Sequence, residues 1–538
     1  MSRGGGQAGR GAGRGAGRGA GRGAGRGAGA SAGRGAGAGE GPGSAGSAAP
    51  SPALLTSYIK KAWTIDALFD TFSTYASHFN HIHLSACWSA LGHQARTAGP
   101  SWSDAHAEGL AELVQKTAQA ASTCGEMRAR QLANIAHGAA KIGLGRKCAD
   151  DLLTTLSNSL QWQLGDCNAQ ELANVSWAFA KARHPDAELF EKLARAAESC
   201  LDTFNAQELA NTAWAFAAAG HSDTRLFNAL ARAVEQRLND FTTQGLSNVA
   251  WAFAKASHAD AQLFTTLGKT ALEYLDDFNA QDLANTAWAF AKVGHFDAAL
   301  FAALAQSAVE WHLDNMSAQG LANTVWAFAK AGLSDHGKLF TAFARCILQR
   351  GLGDFNSQDL ANTAWAFAKA CHVDEKLFAS LAKAAKRCMD EFNAQDLVNT
   401  AWAFAKMGHS DVTLFGGIAK ALSTGKRTKE LHASHISNVT WAFAKAGQMD
   451  EQLFAALARS AKKRVGELSA SDLANIAWAF ANAGSLDANL FSALSEAAEH
   501  FLDEFNDEEL DNTEWAFAKA GDRAMARKLR QRRAQRGG

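Results

Sequence analysis

The tetrapeptide WAFA occurs ten times in this chain, its Trp at positions 177, 214, 251, 288, 326, 365, 402, 441, 478 and 515, so successive copies lie 37 to 39 residues apart. A period of that length signals stacked supersecondary units, none of which can bury its apolar face alone. One unit therefore sets the architecture of most of the chain. In the copy that opens at Asn205, NAQELANTAWAFAAAG supplies Asn205 as an N-cap, Glu208 as the reciprocal half of a capping box and Gly220 as a left-handed stop, which predicts a helix over about 206–219. A second helix is predicted after HSD, with Ser222 or Asp223 as cap and Leu226, Phe227, Leu230, Ala231, Val234 and Leu238 on its apolar face. No segment alternates with period two, and no Pro follows Pro185. The expected fold is all-α: an α-solenoid of stacked helical hairpins with a 37–39-residue period and a disordered N-terminal tail.

Domain limits follow from where the repeat fades. Residues 126–521 form the solenoid of ten or eleven repeats, the eleventh being the divergent copy RQLANIAHGAAKIG at 130–143, in which His137 stands for the Trp. Residues 53–125 read as a divergent helical region whose HLSACWSALG at 83–92 looks like an eroded copy. Residues 1–52 are Gly, Ala and Arg without the apolar side chains that would offset the entropy of ordering them, and are expected to be disordered. This segment is open to three readings: an Arg-Gly arm for RNA, a transit-like presequence, or low-complexity drift. Residues 522–538 read as a basic tail.

The formal charge of zero hides a partition. Residues 1–50 hold seven Arg against Glu40, residues 519–538 hold eight Lys or Arg against Asp522, and the stretch between holds 38 bases and 51 acids. Basic ends of this kind seek polyanions, while an acidic body means that any nucleic-acid surface must be local. The eight Cys lack any C-x-x-C pair, so neither a zinc site nor a disulfide framework is indicated. No run of apolar residues is long enough to span a bilayer, and no apolar leader is evident at the N-terminus. His81 and His83 are a weak ligand pair, and neither a phosphate loop nor a nucleophile elbow occurs. No enzyme activity, cofactor, metal, membrane or small-molecule substrate is expected.

Placing residues of one helix at 100° intervals from Leu209 puts Phe216, Ala213, Ala217 and Ala210 on the buried face, with Trp214 at its edge at about 140°. Gln207 falls at about 160°, Asn211 at about 200°, and the position seven after the Asn at about 180°, where most copies carry Lys. Stacking turns these into parallel rows, and the candidate RNA-contacting residues are Gln207, Asn211, Gln244, Asn248, Lys255, Gln281, Asn285, Lys292, Gln319, Asn323, Lys330, Gln358, Asn362, Lys369, Gln395, Asn399, Lys406, Asn438 and Lys445. Two plainer readings stand beside this one. The invariant Asn can bridge neighbouring backbones, and the Trp can be packing surface. The Lys row has no packing purpose, so it fits either a bound anion chain or a solvated face. The His that follows many first helices, as at His184, His221, His258, His295, His372 and His409, suits the negative end of a helix dipole.

The wording QDLANTAWAFAKAGH, followed by an Asp and then LF and LA, resembles the heptatricopeptide and octotricopeptide class of helical repeats. It is also similar to the helical domains of the FAST-kinase-like leucine-rich family and of the RNA-editing substrate-binding complex, over about residues 126–521. The resemblance implies single-stranded RNA as ligand, protein partners in an RNA-processing complex, and a role in organellar RNA processing, stability or translation in mitochondrion or plastid. Many such relatives end in a RAP module, whereas ARKLRQRRAQRGG stands at 526–538, so no cleavage activity is expected. The near uniformity of the Gln, Asn and Lys rows favours gripping a backbone over decoding a sequence. It also keeps open an armadillo-like scaffold that holds an extended peptide by rows of Asn and Trp.

Overall fold

The computed structural model describes residues 50–536, apart from positions 100, 124, 126, 145, 185, 334–336 and 424. Among the described residues every regular element is helical and no strand is present. The expected all-α repeat architecture is borne out. The Arg-rich arm lies outside the described residues, save for its last three positions, and Pro52 already opens the first helix, Pro52–Lys61.

The local signals act where they were read. Asn205 accepts from the Glu208 amide at 3.0 Å while its own amide donates to Glu208 Oε2 at 2.9 Å, and the helix runs Ala206–Ala219 to Gly220 in the left-handed region at φ 78°. Between the two candidate caps, Asp223 does the work: its Oδ1 accepts from the Leu226 amide at 2.9 Å and the second helix spans Thr224–Glu235. All six predicted apolar residues are buried, Leu238 among them in a short 3-10 turn, Leu238–Asp240, that the periodicity did not resolve. Phe241 follows that turn and is buried as well, stapling the entry of the next repeat.

First helices of successive repeats lie side by side along their length, whereas second helices meet over only a few residues. The Ala-rich first helices allow that close approach. Closer spacing makes their layer the shorter, inner side of the stack. Between the WAFA repeats, a Phe from the second helix meets the WAFA Phe of the next first helix edge to face, as in Phe190–Phe216, Phe227–Phe253 and Phe264–Phe290, all with centroids 5.1 Å apart. Each such pair adds about 0.5–1.5 kcal/mol beyond its buried area. The His after the first helix is not simply solvated at a helix end: His221 lies flat on Phe190 at 4.7 Å and His409 on Phe378 at 4.9 Å.

Departures from strict repetition have local causes. The step from Trp288 to Trp326 is one residue longer than the commonest 37, and the second helix between them absorbs the extra residue in a π turn, Ala308–His312. The eroded copy is a true first helix, His81–Gln94, packed on Ala129–Ile142. Its Asn80 caps as Asn205 does, so Trp88 falls at the register of Ala213, not of Trp214, and is fully buried with its Nε1 donating to Thr117 Oγ1 at 2.9 Å. Gly138 makes room for it: a Cβ there would lie 2.3 Å from the Trp88 carbonyl oxygen. His83 closes the Asn80 capping box and bonds the Pro52 carbonyl at 2.9 Å, so it is not half of a metal pair.

Residues read as a basic tail over 522–538 instead form a helix, Arg523–Arg536, the second helix of the last hairpin. Arg532 pairs with Asp503 at 2.5 Å, Arg530 with Glu514 at 2.6 Å, and Lys528 and Arg533 pair with Glu499 and Asp511. Met525, Ala526 and Leu529 bury the inward face, a sparse apolar stripe that the dense charge obscures in sequence.

Two measurements check this packing. Gly138→Ala is expected to lower stability by about 1–3 kcal/mol in chemical unfolding, because backbone must move to admit the methyl. The buried carboxyls of Asp359 and Asp396 are held above the usual carboxylate range by burial, partly offset by the amides they cap. A raised folded-state value means stability that is fully present below the unfolded value and lost as pH rises through the folded one. Asp396→Asn should therefore stabilise the protein at neutral pH, and unfolding at acid pH should show that advantage shrink.

Candidate nucleic-acid interface

Each first helix inside the array is flanked by a first helix on both sides and backed by its own second helix. Ala206–Ala219 consequently buries Ala206, Thr212 and Ala215 in addition to the face expected from Leu209. What stays open is one narrow strip, with Gln207 and Ala218 exposed and Asn211 and Trp214 half-buried. These are the four positions that the 100° spacing places between about 140° and 200°.

The strip repeats along the layer. Gln244, Gln281, Gln319, Gln358 and Gln395 are exposed; Asn248, Asn285, Asn323, Asn362, Asn399 and Asn438 are half-buried. Lys255, Lys292, Lys369 and Lys445 are exposed, and Lys330 and Lys406 are half-buried. The six lysines follow one another along the layer, as the Lys330 Nζ donating to the Lys292 carbonyl at 3.5 Å illustrates for one neighbouring pair. None of them makes an ion pair among the described residues, in contrast to the bases of the C-terminal helix. Lys330 sits below the ordinary lysine range, first because it is partly buried and second because Lys292 repels its charge. An anion on the strip would offset that repulsion.

The Trp row is packing, and it also stations the ammonium groups. Trp214, Trp251 and Trp288 stack in sequence at 6.4 and 6.2 Å, and Trp326, Trp365 and Trp402 at 6.1 and 6.3 Å. Lys330 Nζ lies 5.0 Å above the Trp326 ring and Lys406 Nζ 4.9 Å above Trp402, a contact worth about 0.5–1 kcal/mol at exposed sites. Backbone bridging accounts for little of the Asn row. Among the described residues, its side-chain hydrogen bonds are those of Asn134 to Ser85 Oγ at 3.4 Å and Asn475 to Ser437 Oγ at 3.5 Å. The side-chain amides between them make no hydrogen bond to the protein among the described residues. Lys141 completes the Lys row at the divergent repeat, seven residues after Asn134, a member that the replacement of Trp by His137 concealed.

No group of three or more His, Cys, Asp or Glu side chains suited to a metal ion occurs among the described residues. No described helix is long and apolar enough to cross a membrane.

Residues 167–451 match the family model of the RNA-editing substrate-binding complex 6 protein. The chain belongs to this family. Of the resemblances carried by the repeat wording, the one to an RNA-editing complex is therefore supported, and RNA processing is the setting the family's name gives. No curated protein matches the chain. Solved structures similar in arrangement include a homology model of the full-length AP-3 complex in an intermediate open conformation, at 10% identity over 91% of this chain and 93% of that one, with a TM-score of 0.26. A circular tandem repeat protein with a novel repeat topology follows at 12% identity, 85% and 96% coverage and a TM-score of 0.17, and Importin13 in its cytosolic state at 11%, 89% and 76%, and 0.28. At TM-scores of this size none of these likenesses bears on the fold or on the function.

If the unpartnered amides exist for a ligand, their removal should leave the fold alone. Asn285→Ala is expected to change unfolding free energy by less than about 0.5 kcal/mol, whereas Asn475→Ala, which breaks an inter-repeat bond, should cost about 1 kcal/mol. Parallel denaturation curves check the pair.

Proposed function

We propose that this protein is a non-catalytic RNA-binding subunit of an RNA-editing complex, and that a single RNA strand lies along the Gln, Asn and Lys strip of the first-helix layer. The observation that carries this reading is a line of lysines on an acidic body, none with a carboxylate partner, beside amides whose hydrogen-bonding capacity the protein leaves unused. Cations in that position neutralise phosphates, and half-buried amides offer donors and acceptors to sugar and base edges. The rows change little from repeat to repeat, so the grip is on the backbone and sequence preference is weak. The organellar setting that the resemblance implies, in mitochondrion or plastid, is part of the same proposal, as is membership of a multi-protein assembly.

Charge neutralisation gives a number to look for. Each phosphate contact on a single strand adds about 0.7 to the slope of log affinity against log salt, so Lys292→Ala, Lys330→Ala and Lys369→Ala together should lower that slope by about 2. Fluorescence anisotropy with a labelled single-stranded RNA over a salt series reads this directly. An unchanged slope, or binding that disappears with residues 1–50 deleted, removes the strip from RNA binding. A protein partner captured equally well after nuclease treatment and lost with the Asn→Ala changes would point instead to the peptide-holding scaffold.

A further inference from the structure

At the N-terminal end of the first-helix layer the strip runs into an open cavity of about 770 Å³, bordered by the helix Pro52–Lys61 and the first helices His81–Gln94 and Ala129–Ile142. Its floor is continuous with the strip, because Asn134 belongs to the Asn row and Ala86 and Ser89 hold the Asn and Trp registers of the eroded copy. The cavity exists because of that erosion. Where each of the ten WAFA copies places an indole, Ser89 leaves an open space, and the missing Trp has moved one residue back to be buried as Trp88.

Its chemistry separates it from the rest of an acidic surface. Four other surface cavities each include a carboxylate: Asp202 and Asp240, Asp166 and Glu171, Asp66, or Asp276 and Glu310. This one includes none and holds the exposed cations Lys60 and Arg130, neither of them in an ion pair among the described residues. Trp63, 86% exposed, stands at its wall without an aromatic partner. Gln94 also lines it and ties its wall together, its Nε2 donating to the Ala62 carbonyl at 2.5 Å. A bare indole, two free cations and no acid form a set that suits a planar group carrying negative charge.

We propose that this cavity binds one nucleotide, its base stacked on Trp63 and its phosphate held by Lys60 and Arg130. The proposal deepens the RNA reading of the strip by giving the bound strand an anchor where the lysine row ends. The nucleotide can belong to that strand or be a free mononucleotide, and both share this chemistry.

The experiment uses the full chain and three proteins: the parent, Trp63→Ala and Ser89→Trp. The second variant restores the indole that all ten WAFA copies carry at that register and so fills the space by a side chain the fold already accommodates. Probes are a labelled single-stranded RNA, AMP, UMP and inorganic phosphate. Loss of one stacked base predicts that Trp63→Ala weakens RNA binding about five-fold or more, with the salt slope unchanged because no charge is removed. Ser89→Trp should do the same. Saturable binding of AMP or UMP that both variants abolish, and that phosphate does not displace, assigns the cavity to a free nucleotide; loss on RNA alone assigns it to the strand. Parental affinity of both variants for RNA and mononucleotide overturns the proposal. Its failure is distinct from that of the strip: an altered slope in the triple lysine variant with no effect at Trp63 removes only the cavity, and the reverse pattern removes only the strip.

Discussion

Close packing of alanine-rich helices is the interaction on which the rest of this structure depends. A first helix with Ala at four or five of its inward and lateral positions lets two neighbours approach on either side, and burial of Thr212 and Ala215 as well as Leu209 and Phe216 shows that three sides of it are covered. Only an arc of about 60° is left for solvent. Everything on the inner surface must therefore come from three or four positions per repeat, and the chain spends them on Gln, Asn, Trp and Lys. Stacking makes a narrow choice per helix into a long uniform track, which is how a repeat protein builds a surface from a short sequence.

The track and the body carry opposite charge, and that contrast is kept by pairing. Basic residues of the C-terminal helix are taken up by Asp503, Asp511, Glu514 and Glu499, so they close the end of the stack instead of adding to its field. The lysines of the track have no such partners among the described residues. Indoles below them hold Lys330 and Lys406 at the edge of the layer without neutralising them, since a ring quadrupole attracts a cation but does not remove its charge. An anion chain lying there finds cations already positioned.

Much of this was legible in the sequence, and the parts that were not share a cause. Asn205, Glu208 and Gly220 fixed one helix to within a residue because capping is a local matter of adjacent amides. The open arc followed from helical geometry alone. Partnership between distant residues is different: whether Asn285 bonds a neighbour depends on the rise and twist between repeats, which no single copy records. The π turn at Ala308–His312 arises from one inserted residue whose strain could have been taken up in any loop. Arg523–Arg536 looked like a tail because eight bases near the end outweigh Met525, Ala526 and Leu529, and the acids it pairs with lie some 16 to 29 residues away. Trp88 misled by a single position, and the Asn80 cap, seen once the helix start is fixed, reveals the shift in register.

The central claim is that RNA follows the inner strip, and the most direct measurement is photo-crosslinking of the full chain to single-stranded RNA carrying 4-thiouridine throughout, with the attached peptides mapped by mass spectrometry. The account predicts crosslinks that recur once per repeat, in the first helices and at the Gln, Asn, Trp and Lys registers. Crosslinks confined to second helices or to the Arg-rich N-terminal segment would contradict it.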